Sequence, residues 1–454
     1  MRRHISIFFC CYCFFCCNLI AQTSIFENPF RSHLDIDVKP RVFFTNTILS
    51  SESKFTYLIG ANINLELSEN ANFTYTFDHL SSKKNISIVQ EYKDSLLIYP
   101  GFGNYNNRSN FNLNYNLNNF FNVKAGFSKH FIGSGYRSLL LSDLSSSYPF
   151  LQIKTTTNRF NYYNLYAKFQ NNITNDQNNI KYASIHYLDF KLSSKINIGI
   201  YEAVLWPSKN KNQNIGYEIS YLNPIIFYRP IEFSMGSEKG NALMGTSLSY
   251  TFKKTKFYAQ FVLDDLNISR RKDSDPNYQE GFIQNKYGYQ IGTKIENKNL
   301  HVNIEYNQVQ PYTYGHRSII RNYTHMNQSL AHPLGANFKE FISLIKYDTQ
   351  NYFISLKTMI VGIGLDSIGT HYGQNIFDTE YNSSTGGAHS YGNYNGQGVK
   401  TNLILVQPEF SYKFKYFDLF SSIYYLKKKS DLLDQTSFYF FIGVRNIPFS
   451  LLPF

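Results

Sequence analysis

The chain has no cysteine beyond residue 17. All five of its cysteines lie in an apolar N-terminal stretch: Cys10, Cys11, Cys13, Cys16 and Cys17. Basic Arg2 and Arg3 precede this stretch and the small residue Ala21 follows it, a layout that predicts a cleaved secretory signal at residues 1–21. We expect the mature protein, residues 22–454, to form one domain with no thiol chemistry and no disulfide scaffold. A lipid anchor on Cys16 or Cys17 is the alternative, but Phe15 and Cys16 are not the small residues that should precede it.

Long apolar runs are also missing. After residue 21 no run of about 18 apolar residues occurs, which argues against a membrane-spanning helix. The chain has one tryptophan, yet it has 40 phenylalanines and 38 tyrosines, and its mean hydropathy is slightly polar at -0.33. In a transmembrane β-barrel each strand turns one face to lipid and the other to a polar lumen, so a composition rich in aromatics but polar on average is typical of that class.

Acidic residues are the scarcer charged class. The chain has 32 acidic and 44 basic residues, a formal net charge of +12 that becomes +10 when Arg2 and Arg3 are removed with the signal. A basic surface favours anionic partners. For an exported protein these are lipopolysaccharide phosphates in the outer-membrane lipid, or acidic surface polysaccharide, rather than nucleic acid. An even scatter of surface lysines is the alternative.

Alternation of apolar and polar residues runs from end to end, as expected for strands whose successive side chains point to opposite faces. Phe55 to Leu67 alternates and is followed by a Ser-Glu-Asn-Ala turn, and Phe111 to Leu117 returns through Phe121 to Phe127 after a turn at Asn118-Asn119. Similar pairs lie at residues 248–263 and 287–306, and a last strand carries Phe438 to Val444. The short turns favour antiparallel neighbours.

These patterns predict an all-β fold, a transmembrane antiparallel β-barrel of about 16 to 18 strands with long extracellular loops and lumen-filling segments. Polar stretches at Ser269 to Gly281 and Asp378 to Gly398 are the expected loops. The predicted location is the outer membrane. A soluble β-sandwich or β-propeller also alternates, but the export signal, the aromatic content and the scarcity of short repeated motifs argue against it.

One segment, Phe131 to Asp143, breaks the alternation directly after a good strand. It contains Gly133 and Gly135, which permit a tight backbone path, and an apolar leucine triplet that predicts a short packed turn or helix. We expect Arg137 and Asp143 to pair inside the lumen, where low dielectric favours matched charges. Contacts with a sugar ligand are the alternative role for this pair.

The run Gly-Ser-Gly-Tyr-Arg-Ser-Leu-Leu-Leu-Ser-Asp at residues 133–143 resembles the Wzi-type capsule-assembly family of outer-membrane barrels, in the branch of the gliding-motility RemB proteins. Two further segments are similar to that branch, Asn223 to Phe233 running on to Asn241–Gly245, and Ala331 to Phe338. The resemblance implies a monomeric barrel of about 18 strands that binds surface polysaccharide, or one that supports gliding together with gliding-machinery proteins.

The candidate polysaccharide-binding or lumen residues are Arg137, Asp143, Arg229, Asn241, His332, Tyr381, His389, Tyr391 and Tyr394. Arg229 and Asn241 fit scaffolding of a plug equally well. His332 precedes Pro333, which biases its backbone to an extended form and favours a capping or hydrogen-bonding role over metal ligation. The last four lie in the loop from Asp378 to Gly398, where tyrosine rings would stack on sugars, unless the loop is simply solvated.

The functional expectation is a non-enzymatic barrel that binds or anchors surface polysaccharide in capsule or exopolysaccharide assembly, or supports gliding motility. A porin-like channel for small solutes is the alternative. An outer-membrane hydrolase is a third class, but Gly133-Ser-Gly lacks the nucleophile-elbow pattern, and His316, His325 and His332 are too widely spaced for a helical zinc motif. We therefore expect no catalytic residue, no cofactor and no metal.

Overall fold

The protein is described by a computed structural model over residues 35–48, 53–82, 107–171, 180–210, 213–214, 216–217, 219–222, 240–266, 285–367, 370–379 and 392–446. Eighteen strands form one sheet. They are β1 (Asp35–Ile48), β2 (Ser53–Ser68), β3 (Ala71–Ser82), β4 (Asn107–Asn116), β5 (Phe121–Ser128), β6 (Tyr148–Thr156), β7 (Phe160–Gln170), β8 (Ile180–Lys191), β9 (Ile196–Pro207), β10 (Asn241–Phe252), β11 (Thr255–Asp265), β12 (Lys286–Asn297), β13 (Leu300–Val309), β14 (Phe338–Asp348), β15 (Tyr352–Leu365), β16 (Val399–Lys413), β17 (Asp418–Ser430) and β18 (Asp434–Arg445).

The sheet is a closed barrel. Each strand pairs antiparallel with its neighbours along the chain, as in the pairing of β1 with β2 from Asp35 to Ile48. The first strand also pairs with the last, from Phe43 opposite Arg445 to Ile48 opposite Phe440. Closure leaves no free sheet edge, which is the condition for strands to cross a bilayer. The predicted all-β barrel is confirmed, at the upper end of the expected strand count.

The two ends of the barrel carry different connections. The turns at 69–70, 117–120, 253–254 and 414–417 join strands at one end, and the first two lie where the alternation predicted them. The other end carries the connections at 129–147 and 310–337 and the one that leaves β15 at residue 366, together with the short turn at 431–433. In outer-membrane barrels the short turns face the periplasm and the long loops face outward. We call these the turn end and the loop end.

The outward face of the wall is apolar. Side chains that alternate outward stay exposed although they are large and hydrophobic, which suits lipid rather than water as the surrounding medium. They include Phe55, Ile59, Phe111, Leu113, Leu248, Phe257, Phe261, Ile291, Ile304, Ile354, Ile360, Phe410, Phe438 and Ile442. This closed barrel with its apolar belt is an outer-membrane protein. Among the described residues no helix is long and apolar enough to span a membrane.

The inward face changes character along the barrel axis. Toward the turn end it is polar, with Asn62, Asn112, Asn114 and Gln152 facing the lumen. Toward the loop end it is apolar and buried, with wall residues such as Leu165, Ile185 and Leu243 in one hydrophobic cluster. Buried inward apolar side chains need partners inside the lumen, and the long connections supply them.

Candidate functional site

Three connections fold from the loop end into the lumen. We name them the first infolded segment (residues 129–147), the second (residues 310–337) and the third (residues 366–367 and 370–378). The first contributes Leu139, Leu140 and Leu141 to the buried cluster, and the second contributes Leu330 and Leu334 among others. Burying three leucines stabilises the first segment by roughly 1.5–3 kcal/mol each. Together the segments form a plug, which is the lumen filling that the alternation break at Phe131 to Asp143 predicted.

The first infolded segment has neither the helix nor the simple turn that its leucine triplet suggested. Its two sides meet in one β-bridge between Ile132 and Leu141, and its tip reaches the middle of the lumen as irregular backbone. Irregular backbone at this depth must find hydrogen-bond partners outside its own segment. The inward side chains of β11 to β14 provide them.

Glu305 on β13 holds the tip of the first infolded segment. Its carboxylate accepts hydrogen bonds from the backbone N–H of Tyr136 at 2.7 Å and of Arg137 at 3.1 Å. It also accepts from the Tyr258 hydroxyl at 2.8 Å and from Asn307 Nδ2 at 2.8 Å. Four donors on one carboxylate offset part of the cost of its burial, since hydrogen bonds to an ionised acceptor are among the stronger ones in proteins.

Two glutamines of the wall also form hydrogen bonds with the backbone of the first infolded segment. Gln260 Oε1 accepts from the backbone N–H of Leu139 at 2.9 Å, and its Nε2 donates to the carbonyl of Ile132 at 3.1 Å. Gln290 Nε2 donates to the carbonyl of Arg137 at 3.0 Å. The wall thus satisfies both donors and acceptors of a backbone that has no ladder of its own.

Glu340 on β14 joins the first segment to the second. It accepts from His332 Nε2 at 2.6 Å and from Asn307 Nδ2 at 3.0 Å, and Arg137 lies 3.7 Å away on its other oxygen. The Glu340 and His332 side chains are fully buried. The backbone N–H of Leu334 donates to His332 Nδ1, so Nε2 carries the proton in the neutral ring. Burial lowers the pKa of His332, opposed by Glu340, which favours this neutral form.

Buried tyrosines tie the second segment to the leucine triplet. The Tyr314 hydroxyl donates to the carbonyl of Leu139 at 2.8 Å, and the Tyr323 hydroxyl donates to that of Leu140 at 2.9 Å. Tyr201 on β9 is hydrogen-bonded to the Tyr323 hydroxyl at 2.5 Å. Burial raises the pKa of Tyr314 and Tyr323 well above the ordinary value, so both hydroxyls keep their protons and act as donors.

Strand β10 allows a close approach between the wall and the plug. A Cβ at Gly245 would meet Leu140 Cδ2 at 2.4 Å, so only glycine lets the triplet approach the wall this closely. At the loop end of the same strand, Asn241 Nδ2 donates to the carbonyl of Arg321 in the second segment at 3.1 Å. Asn241 therefore joins the wall to the backbone of the second segment.

The predicted site residues are only partly brought together. Arg137 and His332 meet at Glu340, whereas Asp143 is exposed. The expected Arg137–Asp143 pair is absent from the described structure because the chain path turns Asp143 away from the tip and a wall carboxylate takes its place. Tyr394 is 66% exposed. Arg229, Tyr381, His389 and Tyr391 lie outside the described residues, as does the predicted signal.

Sequence reasoning missed the wall residues that hold the plug. Glu305, Glu340, Gln260, Gln290 and Asn307 all lie at inward strand positions, where a polar residue is the ordinary expectation for a water-filled lumen. The sequence signal that could have found them is the concentration of large polar and acidic residues at inward positions of neighbouring strands. A lumen filled only with water does not require carboxylates and amides to converge on one point.

A cavity of 340 Å³ remains between the first infolded segment and the wall of β6 to β11. The segment contributes His130 to Ser134 to its lining. The wall contributes mainly polar side chains: Gln152, Tyr163, Tyr187, Asp189, Asn197, Ser247, Ser249, Lys256 and Tyr258. The plug therefore does not fill this side of the lumen.

No protein-family model matches the chain, and no curated protein matches it. Solved structures do match. They include Pseudomonas aeruginosa OccK3, at 8% identity over 90% of this chain and 95% of that chain with a TM-score of 0.47. Pseudomonas aeruginosa OprD matches at 9% identity over 90% and 94% with a TM-score of 0.47, and Acinetobacter baumannii OccAB4 at 10% over 92% and 99% with a TM-score of 0.46.

The resemblance to the Wzi-type capsule-assembly family was wrong. The structures to which this chain is similar are OprD and Occ proteins, and no family model supports the expected membership. Two of the segments that carried the resemblance have a local explanation, since residues 133–143 and 331–338 pack and anchor the plug. The roles in capsule assembly and gliding, and the gliding-machinery partners, rested on that resemblance and lose their support with it. The polysaccharide partner is left with the basic net charge as its only argument.

Proposed function

We propose that this protein is a monomeric, non-catalytic outer-membrane channel for small solutes, narrowed at its loop end by the three infolded segments. The observation that carries the proposal is the polar inward face of the turn half together with the 340 Å³ cavity that continues it alongside the plug. Polar side chains and hydroxyls on that face suit a water-filled path. An apolar, fully packed lumen would not support it.

The first infolded segment can narrow the lumen without disturbing the strand pairing of the wall. Ser128 at the end of β5 and Tyr148 at the start of β6 are register partners in neighbouring strands. The whole first infolded segment is therefore an insertion between two residues that already lie side by side. A short turn in its place would join the same strands.

Planar-bilayer recording tests the proposal. The intact barrel should give discrete conductance steps, and a variant in which residues 130–146 are replaced by a glycine-serine turn of about four residues should give larger ones. A matched control replaces the turn residues Lys253 and Lys254 with serines, which leaves the lumen unchanged. Barrel folding of every variant is checked by circular dichroism. If the folded intact barrel and the folded plug variant both fail to conduct, the channel proposal is wrong.

A further inference from the structure

The carboxylates that face the middle of the lumen are engaged. Glu305 and Glu340 hold the plug, as described above. Glu409 on β16 lies 2.5 Å from Arg445 on β18, and Asp78 on β3 is paired with both Arg41 and Arg108. Each of these acids already has a partner of the opposite charge or a set of donors. In the described part of the chain, none of these four acids forms an ion pair with Lys256, Lys294, Lys346 or Lys357.

Four lysines of the turn half are not engaged in this way. Lys256, Lys294, Lys346 and Lys357 face inward from β11, β12, β14 and β15, and we call them the lysine patch. Each is half-buried. Within the part of the chain that the structure describes, none of the four ammonium groups has a carboxylate within 4.0 Å.

The patch is crowded with like charge. Lys256 is the direct cross-strand partner of Lys294, an arrangement that is destabilising when both side chains carry the same charge. The strongest electrostatic influence on Lys294 is the attraction of Glu305, which the plug tip also engages, and it is opposed by repulsion from Lys256 and Lys346. Such a cluster is stabilised when an anion enters it.

The patch also lies where a solute must pass. Lys357 Nζ is 5.8 Å from the ring centroid of Tyr136 at the plug tip, and Lys294 Nζ is 5.9 Å from that of Tyr258. Lys256 and Tyr258 line the 340 Å³ cavity that continues the lumen beside the plug. Lys256 therefore borders open space large enough for a small anion. Lys294 lies beside Tyr258 at the same cavity, and Lys357 lies beside the plug tip.

We propose that the lysine patch is an anion-binding site on the solute path, which selects small anions that carry phosphate or carboxylate groups. This inference rests on the proposed channel function for its role in transport, but the binding site itself stands on the patch and the cavity. Ammonium groups bind phosphate and carboxylate through charge-assisted hydrogen bonds, and several converging on one space favour a multiply charged anion over chloride.

Two measurements on the detergent-folded full chain test the site. In a potassium chloride gradient across a planar bilayer, the reversal potential should show a chloride-over-potassium preference of roughly threefold, a modest ratio because a Debye length of ~10 Å at 0.1 M screens the patch. By titration calorimetry at low salt, inorganic phosphate should bind. The double substitution Lys294→Gln and Lys346→Gln should weaken phosphate affinity roughly tenfold, which corresponds to about 1.4 kcal/mol, and should move the permeability ratio toward one.

The control is the double substitution Lys253→Gln and Lys254→Gln in an exposed turn, which removes the same charge from the same molecule. Unchanged phosphate binding in this control supports the patch, and an equal loss in both variants refutes it. Phosphate binding without conductance would retain the site and overturn the channel. Conductance with no phosphate binding, or with a cation preference, would overturn the site and retain the channel.

Discussion

Substituting Glu340 with glutamine should release the first infolded segment while the barrel stays closed. The side chain is fully buried and accepts from His332 and Asn307, with the Arg137 guanidinium beside it. Glutamine preserves the volume but removes the charge, so Arg137 loses its buried counter-ion. Breaking a buried pair from one side destabilises by about 3–5 kcal/mol. We take the lower value, about 3 kcal/mol, because the amide keeps part of the hydrogen bonding.

The loss should be local. Glu340 lies on the wall, but its partners are the plug tip and the second segment, whereas the ladders of β14 with β13 and β15 run through backbone groups that the substitution leaves intact. A loss of about 3 kcal/mol raises the population of a released tip on the order of a hundredfold. Released backbone exchanges its amide hydrogens with solvent, and closed backbone does not.

Hydrogen exchange of the detergent-folded barrel measures this directly. In Glu340→Gln, amides of residues 134–142 should lose protection by roughly a hundredfold relative to the native chain, and strand amides of β16 and β17 should be unchanged. The control Glu296→Gln removes a carboxylate at the exposed turn-end rim and should leave both regions unchanged. If exchange at the tip is unaffected, or if strands lose as much protection as the tip, the assignment of Glu340 as the plug anchor is refuted.

Three further outcomes are expected of the plug. In Gly135→Ala the new Cβ would lie 2.4 Å from a wall carboxylate oxygen, so the tip should be destabilised by about 1–3 kcal/mol. Amide hydrogen exchange at the tip should rise in this variant. The control Gly362→Ala, where the nearest neighbour of the new Cβ is 3.7 Å away, should leave that exchange unchanged. Tyr323→Phe removes the donor to a buried leucine carbonyl and should cost about 1–3 kcal/mol of plug stability, while Tyr412→Phe on the exposed outer face should cost nothing by the same exchange assay. Burial lowers the pKa of Lys129 to about 7. Between pH 7 and 10.5 the folded segment therefore binds fewer protons than the unfolded one, so its resistance to proteolysis should rise from pH 6 to pH 9. A proteolysis profile that is flat in the native chain, or equally steep in Lys129→Gln, would contradict this.

Three of the histidines in the infolded segments do not interfere with that pH test. Burial lowers the pKa of His130 and of His316 to about 3, and that of His325 to about 4. These three rings are therefore neutral throughout pH 6 to 9. The comparison with Lys129→Gln assigns the remaining change to the lysine at the base of the first segment.

The barrel wall was predictable from the sequence because strands and turns are determined by residues close together in the chain. An outward Phe55 or Phe111 is followed directly by an inward polar neighbour, Thr56 or Asn112, and a short turn such as Asn118-Asn119 reverses the chain at once. Period-two alternation and turn residues both act within a few positions. Strand existence, register and the lipid-facing side follow from them.

The wall residues that anchor the plug were not predictable because they interact with residues far away in the chain. Tyr136 and Glu305 are 169 residues apart, and nothing near either of them in the chain identifies the other. Local reasoning instead paired Arg137 with Asp143, its nearest acidic neighbour in the motif. The true partner, Glu340, is placed beside Arg137 only when the barrel has closed and β14 faces the tip.

Barrel and plug are therefore separable parts of one chain. Since Ser128 and Tyr148 are already neighbours in the wall, closing the longer loop costs about 0.6 kcal/mol for each doubling of its length. Ordering the segment costs about 1–2 kcal/mol more per residue, and the buried leucine triplet together with the hydrogen bonds from the wall oppose that cost. The backbone ladders of the wall do not run through the plug, although wall side chains such as Leu165, Ile185 and Leu243 pack against it. The carboxylates and amides that converge on the tip therefore act on the state of the lumen rather than on the pairing of the strands.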